Sequence, residues 1–309
     1  MNKNSTVLGV LNQQDLEAAV LPFLLARYGN TFDVDLFRGA ASYITRLFNG
    51  QIPGYLAIDL PYHDLKHTLD TALATARLVD GYEAFLQVEG QPPLGAETAL
   101  LAIICALFHD GGFVRRECEH AIPGSKLMPV HVERGEAMLV EWLQNSSLAA
   151  YVDAPQAIRY TDHVKPIQAV EETVPETYRI VGCILGTADL MSQIADRFYL
   201  ERCRDALFWE FSQAGIDVFK SADDLLRQTP GFIEHVKQQR LCTDFRSAHR
   251  HFESHFGRTP CPYMVSIDRN IGYLKRIIDS PQPGMLKRNI AERLRRVWEF
   301  DFFCTMAAT

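Results

Sequence analysis

Apolar residues recur at 36, 40, 43, 44, 47 and 48, the three-and-four spacing of one helical face, and Asn49-Gly50 ends the run. The same spacing returns at 65, 69, 72, 73 and 76 and predicts a helix ending near Gly81. Residues 96–109 are apolar on nearly every side, as in a helix surrounded by others. Helical periodicity also covers 133–143, 178–211 (one long helix or two consecutive ones), 264–278 and 286–300. No stretch alternates with a period of two, and no repeat or low-complexity tract is present. The pattern predicts an all-α fold. The turn-rich stretches at 89–93, 121–130 and 280–284 are too short to separate independent units. A single all-α domain over 1–309 is therefore expected, with a motif-bearing core at about 55–255 and a C-terminal helical extension at 256–309.

Composition narrows the class. The 309 residues carry 31 Lys and Arg against 38 Asp and Glu, a formal charge of −7, with 47% hydrophobic and 22% charged residues. Such a chain folds as a globule, and it lacks the basic footprint of a protein that binds duplex nucleic acid. An anionic ligand would need a local attractor such as a metal ion. Cysteines stand at 105, 118, 183, 203, 242, 261 and 304, with no C-x-x-C spacing, which suits a reducing cytosol better than a disulfide framework. The first twenty residues have no secretory pattern. The longest apolar run, 99–108, is about half of what a bilayer requires. A cytoplasmic protein without a membrane segment is expected, and a homodimer is compatible with the sequence.

The candidate chemistry lies in histidines and aspartates. His63 and His67 are spaced i, i+4, which would stack both rings on one helical face, and Asp70 follows on that face. His109-Asp110 closes the apolar 96–109 stretch, where Gly111-Gly112 break the helix. Ionisable groups at the end of a buried helix need partners, and a cation is a natural one. His131 opens His-Val-Glu-Arg-Gly, His163 lies in Thr-Asp-His-Val-Lys after Asp162, and Asp189 interrupts the apolar helix at Ala-Asp-Leu. Asp196 is a rival for that last carboxylate. His251-Phe-Glu-Ser-His255 has its glutamate one place too late for a zincin helix and reads as a solvated face.

The ordered series of H, HD, H, H and D resembles the HD superfamily of metal-dependent phosphohydrolases. Within it, Tyr62-His63-Asp64-Leu65-Lys66-His67-Thr68-Leu69-Asp70 and the Ala-Leu-Phe-His-Asp segment at 106–110 are similar to the class I cyclic-nucleotide phosphodiesterases. So are the segments at 131–135, 161–165 and 188–190, Glu210-Phe211 with Gln213, and Gly231-Phe232-Ile233. The chain departs from that family at Gly111-Gly112-Phe113, where a further Asp-His would stand, and at Gln228, which lies three residues before Gly231 instead of two. No Gly-Tyr-Pro motif follows, so the cyclic-dinucleotide branch is less supported. The resemblance implies a phosphodiesterase-like helical bundle that hydrolyses a nucleotide phosphodiester. It implies two divalent ions (Mg, Mn, Zn or Fe), held by His67, His109, Asp110 and Asp189, with Asp110 bridging. His131 and His163 would ligate the second ion or support its ligands. His63 would be the general acid, while Gln228, Phe232 and Asp162 would meet the substrate. A di-iron oxygenase and a non-catalytic HD signalling module are the alternatives.

Overall fold

The computed structural model describes residues 8–279. Among these residues it is all-α, with twelve α-helices and no strand beyond an isolated bridge between Tyr55 and Arg116. The helices are α1 Gln13–Tyr28, α2 Val34–Phe48, α3 Leu65–Val88, α4 Ala96–Phe108, α5 His131–Gln144, α6 Ile167–Thr173, α7 Glu176–Ala195, α8 Tyr199–Arg202, α9 Phe208–Ala214, α10 Ala222–His235, α11 His251–Phe256 and α12 Pro262–Ile278. A π-helical turn, Cys203–Leu207, joins α8 to α9, and a second, Val236–Asp244, continues α10. The helix expected at 286–300 lies outside the described residues.

The fold is organised around α3 and α4. Helix α4 is buried from Ala99 to Phe108 because nearly every side chain there is apolar. It packs on α2, α3, α5 and α7; the stretch Ala96–Phe113, which runs past α4 and is longer than the apolar run read from the sequence, is long and apolar enough to cross a membrane by length and composition but is 83% buried in the core. Helix α3 lies between α4, α7 and α11. Its first turn is set by Asp64, whose carboxylate accepts the His67 amide at 2.8 Å. Buried apolar residues from Val10 to Ile277 form one contiguous cluster, with a small satellite of Leu60, Phe113 and Leu127.

Helix α3 does not end at Gly81. It continues to Val88, and the glycine serves packing instead. A Cβ at Gly81 would lie 1.7 Å from the His251 carbonyl oxygen, so the missing side chain lets the backbone of α11 rest on α3. Helix α11 is correspondingly no solvated face. His251 meets Tyr82 edge-on at 4.8 Å, and burial pushes its pKa down to about 4. His255 Nδ1 contacts the Asp80 carboxylate at 2.6 Å. Gly81→Ala should destabilise the fold by roughly 1–3 kcal/mol, the usual cost of forcing atoms into a filled interface. Urea unfolding measures it, and a stability equal to that of the unaltered protein would contradict the close approach.

Candidate metal centre

Three segments far apart in sequence deliver the four central residues. His67 lies in the first turn of α3, His109 caps the C-terminus of α4, Asp110 follows it, and Asp189 projects from the middle of α7. All four are at least 95% buried. His109 Nε2 lies 3.4 Å from His67 Nε2 and 3.2 Å from Asp110 Oδ2. His67 Nε2 lies 3.4 Å from Asp110 Oδ2 and 3.1 Å from Asp189 Oδ1. One ligand atom each from His67, His109 and Asp110 falls within 4.8 Å of the others, so this buried group could hold a metal ion.

The donor chemistry fits a cation. His109 Nδ1–H donates to the Ala106 carbonyl at 2.7 Å, which leaves the Nε2 lone pair aimed at the cluster. Asp110 Oδ2 is buried against both Nε2 atoms yet has no hydrogen bond. Burial opposes charge on the His109 ring, but the adjacent Asp110 and then Asp189 overcome it and push its pKa up to about 9. Burial likewise opposes ionisation of Asp110, and His109 outweighs it and holds the carboxyl well below the usual range. For Asp189, hydrogen bonds from His163 and His67 outweigh burial and lower its pKa well below the ordinary value. Two imidazoles and two carboxylates gathered in one buried pocket, with a carboxylate oxygen left without a hydrogen bond, form a donor set suited to a divalent ion.

His63 lies beside this group but not on the helix. Helix α3 begins at Leu65, so His63 sits in the turn ahead of the Asp64 cap. Its ring nevertheless meets that of His67 edge-on, with centroids 6.1 Å apart. The turn is clamped by Arg202, which contacts both Asp64 carboxylate oxygens and donates to the Tyr62 carbonyl at 2.5 Å. Glu210, fully buried on α9, holds His63 in place. One carboxylate oxygen accepts the Tyr62 amide at 2.6 Å, and the other meets His63 Nδ1 at 2.6 Å. Burial opposes protonation of His63, and the Glu210 carboxylate outweighs it, so the His63 pKa is raised. The sequence marks Glu210 through the Glu210-Phe211 segment of the resemblance but not its partner, because the pairing with His63 spans 147 residues.

Phe113 takes the place where the resemblance calls for polar residues. It stacks on His131 with centroids 4.1 Å apart and on His63 at 4.7 Å, linking the two rings. Gly112 permits this stacking, since a Cβ there would lie 1.9 Å from the His131 carbonyl. His131 Nδ1–H donates to the Met128 carbonyl at 2.6 Å, and burial lowers the ring's pKa. His163 Nε2 lies 3.1 Å from Asp189 Oδ2. Asp162 shapes the loop that brings His163 there: its carboxylate accepts the Val164 and Lys165 amides and pairs with the Lys165 ammonium at 3.1 Å.

Other residues singled out in the sequence fall elsewhere. Asp70 neither orients a ligating imidazole nor faces solvent: it is buried, accepting the Val10 amide at 2.7 Å and Lys66 Nζ at 2.5 Å. The same ammonium reaches Asp196 at 3.0 Å, so Asp196 belongs to this pair rather than to the cluster. Gln228 is exposed on α10 and donates to Asp224, while Phe232 is 47% exposed on the same helix. Among the described residues, no hydrogen bond or ring contact joins either one to the His/Asp group. Comparison of the chain with protein-family models, with curated proteins and with solved structures finds no match.

Proposed function

We propose that the chain is a metal-dependent phosphohydrolase of the HD type, acting on a nucleotide phosphodiester. The observation that carries this reading is the buried convergence of His67, His109 and Asp110, with Asp189 in contact, beside a histidine held by its own buried carboxylate. His67, His109, Asp110 and Asp189 would hold the first divalent ion. His131, with Nδ1 engaged and Nε2 left as an acceptor, is suited to a second. His163 acts through its contact with Asp189.

A bound divalent ion supplies Lewis-acid charge to phosphoryl oxygens and makes water acidic enough to deprotonate near neutral pH. The chain's own residues do the rest. Glu210 keeps the His63 ring oriented and favours its protonated form, so His63 can give a proton from Nε2 to a departing alkoxide. Phe113 stacks on both His63 and His131 and so fixes the two rings relative to each other. With a net charge of −7, the protein must attract an anionic substrate locally, and the metal centre provides that attraction.

The test is a turnover panel with the Mn²⁺-loaded protein against cyclic mononucleotides, cyclic dinucleotides, nucleoside triphosphates and an aryl phosphodiester. Mn²⁺-dependent release of a phosphomonoester or phosphate, abolished by a chelator, is the expected result. Metal-loaded protein that turns over none of these, or that takes up dioxygen in an iron-dependent way, would overturn the reading.

A further inference from the structure

The Asp189 carboxylate is held by more than the histidines around it, His67, His109 and His163. Gln193, one turn further along α7, donates from Nε2 to Asp189 Oδ1 at 3.2 Å and to the Asp189 carbonyl at 3.1 Å. The Gln193 Oε1 atom accepts the Tyr62 phenol at 2.5 Å. That bond fixes which end of the amide faces Asp189, because the phenol hydrogen needs an oxygen and the carboxylate needs an N–H. Tyr62 is itself immobilised: its amide donates to Glu210, its carbonyl accepts from Arg202, and the Arg202 guanidinium lies 5.3 Å from its ring. Tyr62, Gln193 and His67 all line a cavity of about 10 Å³ just behind the cluster, room for no more than about one water. A displaced amide would find little solvent there to replace its bonds.

We propose that Gln193 is a positioning residue for the metal centre, and that Tyr62 sets its orientation. Through this chain, the strut that orients His63 (Glu210 on the Tyr62 amide) and the strut that orients Asp189 (Gln193 on the Tyr62 phenol) share one residue. Tyr62 thereby keeps the proton donor and the last carboxylate in fixed register. The inference rests on the metal reading above.

The experiment uses Co²⁺ as the probe on the full chain, with Gln193→Met, which keeps volume but loses all three side-chain hydrogen bonds, and Tyr62→Phe, which removes only the hydroxyl. Loss of an outer partner of a ligand typically costs about 10–100-fold in metal affinity. Gln193→Met should weaken Co²⁺ binding by that factor and change the visible d–d spectrum of the bound ion. Tyr62→Phe should shift both in the same direction, by less. The melting temperatures of the metal-free variants separate positioning from folding: they should stay close to that of the unaltered protein. Co²⁺ affinity and spectrum unchanged in both variants would overturn the proposal. So would an affinity loss that merely tracks a lower melting temperature. Failure of the unaltered protein to bind Co²⁺, and likewise Mn²⁺, Mg²⁺, Zn²⁺ and Fe²⁺, would instead refute the metal reading on which the proposal depends.

Discussion

Replacing His63 with alanine should lower kcat by about 10²–10⁴-fold on a phosphodiester with an alkoxide leaving group, the usual worth of a positioned general acid. Metal affinity should stay within about threefold of the unaltered protein, less than the loss seen when a ligand's outer partner is removed. A nitrophenolate leaving group needs little protonation, so turnover of such a substrate should fall far less. The His63 pKa is raised because Glu210 outweighs burial, and an acid works only while protonated, so activity should decline as pH rises through that raised value. Glu210→Gln removes the charge that raises it. The basic limb of the pH–rate profile should then move to lower pH. Full activity of His63→Ala on the poor leaving group would return His63 to a packing role beneath Phe113.

Asp110→Ala and His109→Ala should each weaken divalent-ion binding by more than about 100-fold, beyond the range for outer partners, and abolish turnover on every substrate, nitrophenyl esters included. The leaving group cannot rescue a lost metal, which separates these variants from His63→Ala. His109 contributes an Nε2 lone pair oriented by Ala106, and Asp110 an oxygen with no hydrogen bond of its own. Equilibrium dialysis followed by elemental analysis measures the binding, and circular dichroism verifies that each variant is folded. Retained metal in either variant would remove that residue from the ligand set.

The helices that the hydrophobic pattern identifies are those with a clear apolar face or complete burial: α2, α4, α5 and α12 appear within a few residues of their expected ends, while the helical stretch expected over 178–211 breaks after Ala195 into α7, α8, a π-helical turn and α9. Helices α1 and α10 have internal prolines, Pro22 and Pro230, which interrupt the local signature even though Leu16, Val20 and Leu24 still line a buried face of α1. Gly81 looked like a stop signal because a glycine that ends a helix and one that admits a neighbouring backbone are alike in sequence; only the approach of His251 tells them apart.

The central residues were readable because charged groups inside apolar helices are costly unless something compensates them, and His109-Asp110 and Asp189 stand in such runs. The i, i+4 spacing of His63 and His67 does not put them on one helix, since Asp64 caps the helix between them, yet the turn ahead of the cap still brings their rings together. Glu210 meets His63, and Tyr62 meets Gln193, across more than 130 residues of sequence, and no local pattern encodes those contacts; only the contact of Gln193 with Asp189 is local, one helical turn away.

The central claim is that the buried His67, His109 and Asp110 group is a metal centre. Calorimetric titration of the chelator-treated protein with Mn²⁺ at neutral pH tests it most directly. The account predicts saturable binding with a Kd of about 1 μM or tighter, near −8 kcal/mol, lost in Asp110→Ala. A folded protein that gives no saturable binding with Mn²⁺, nor with Mg²⁺, Zn²⁺ or Fe²⁺ under the same conditions, would contradict it.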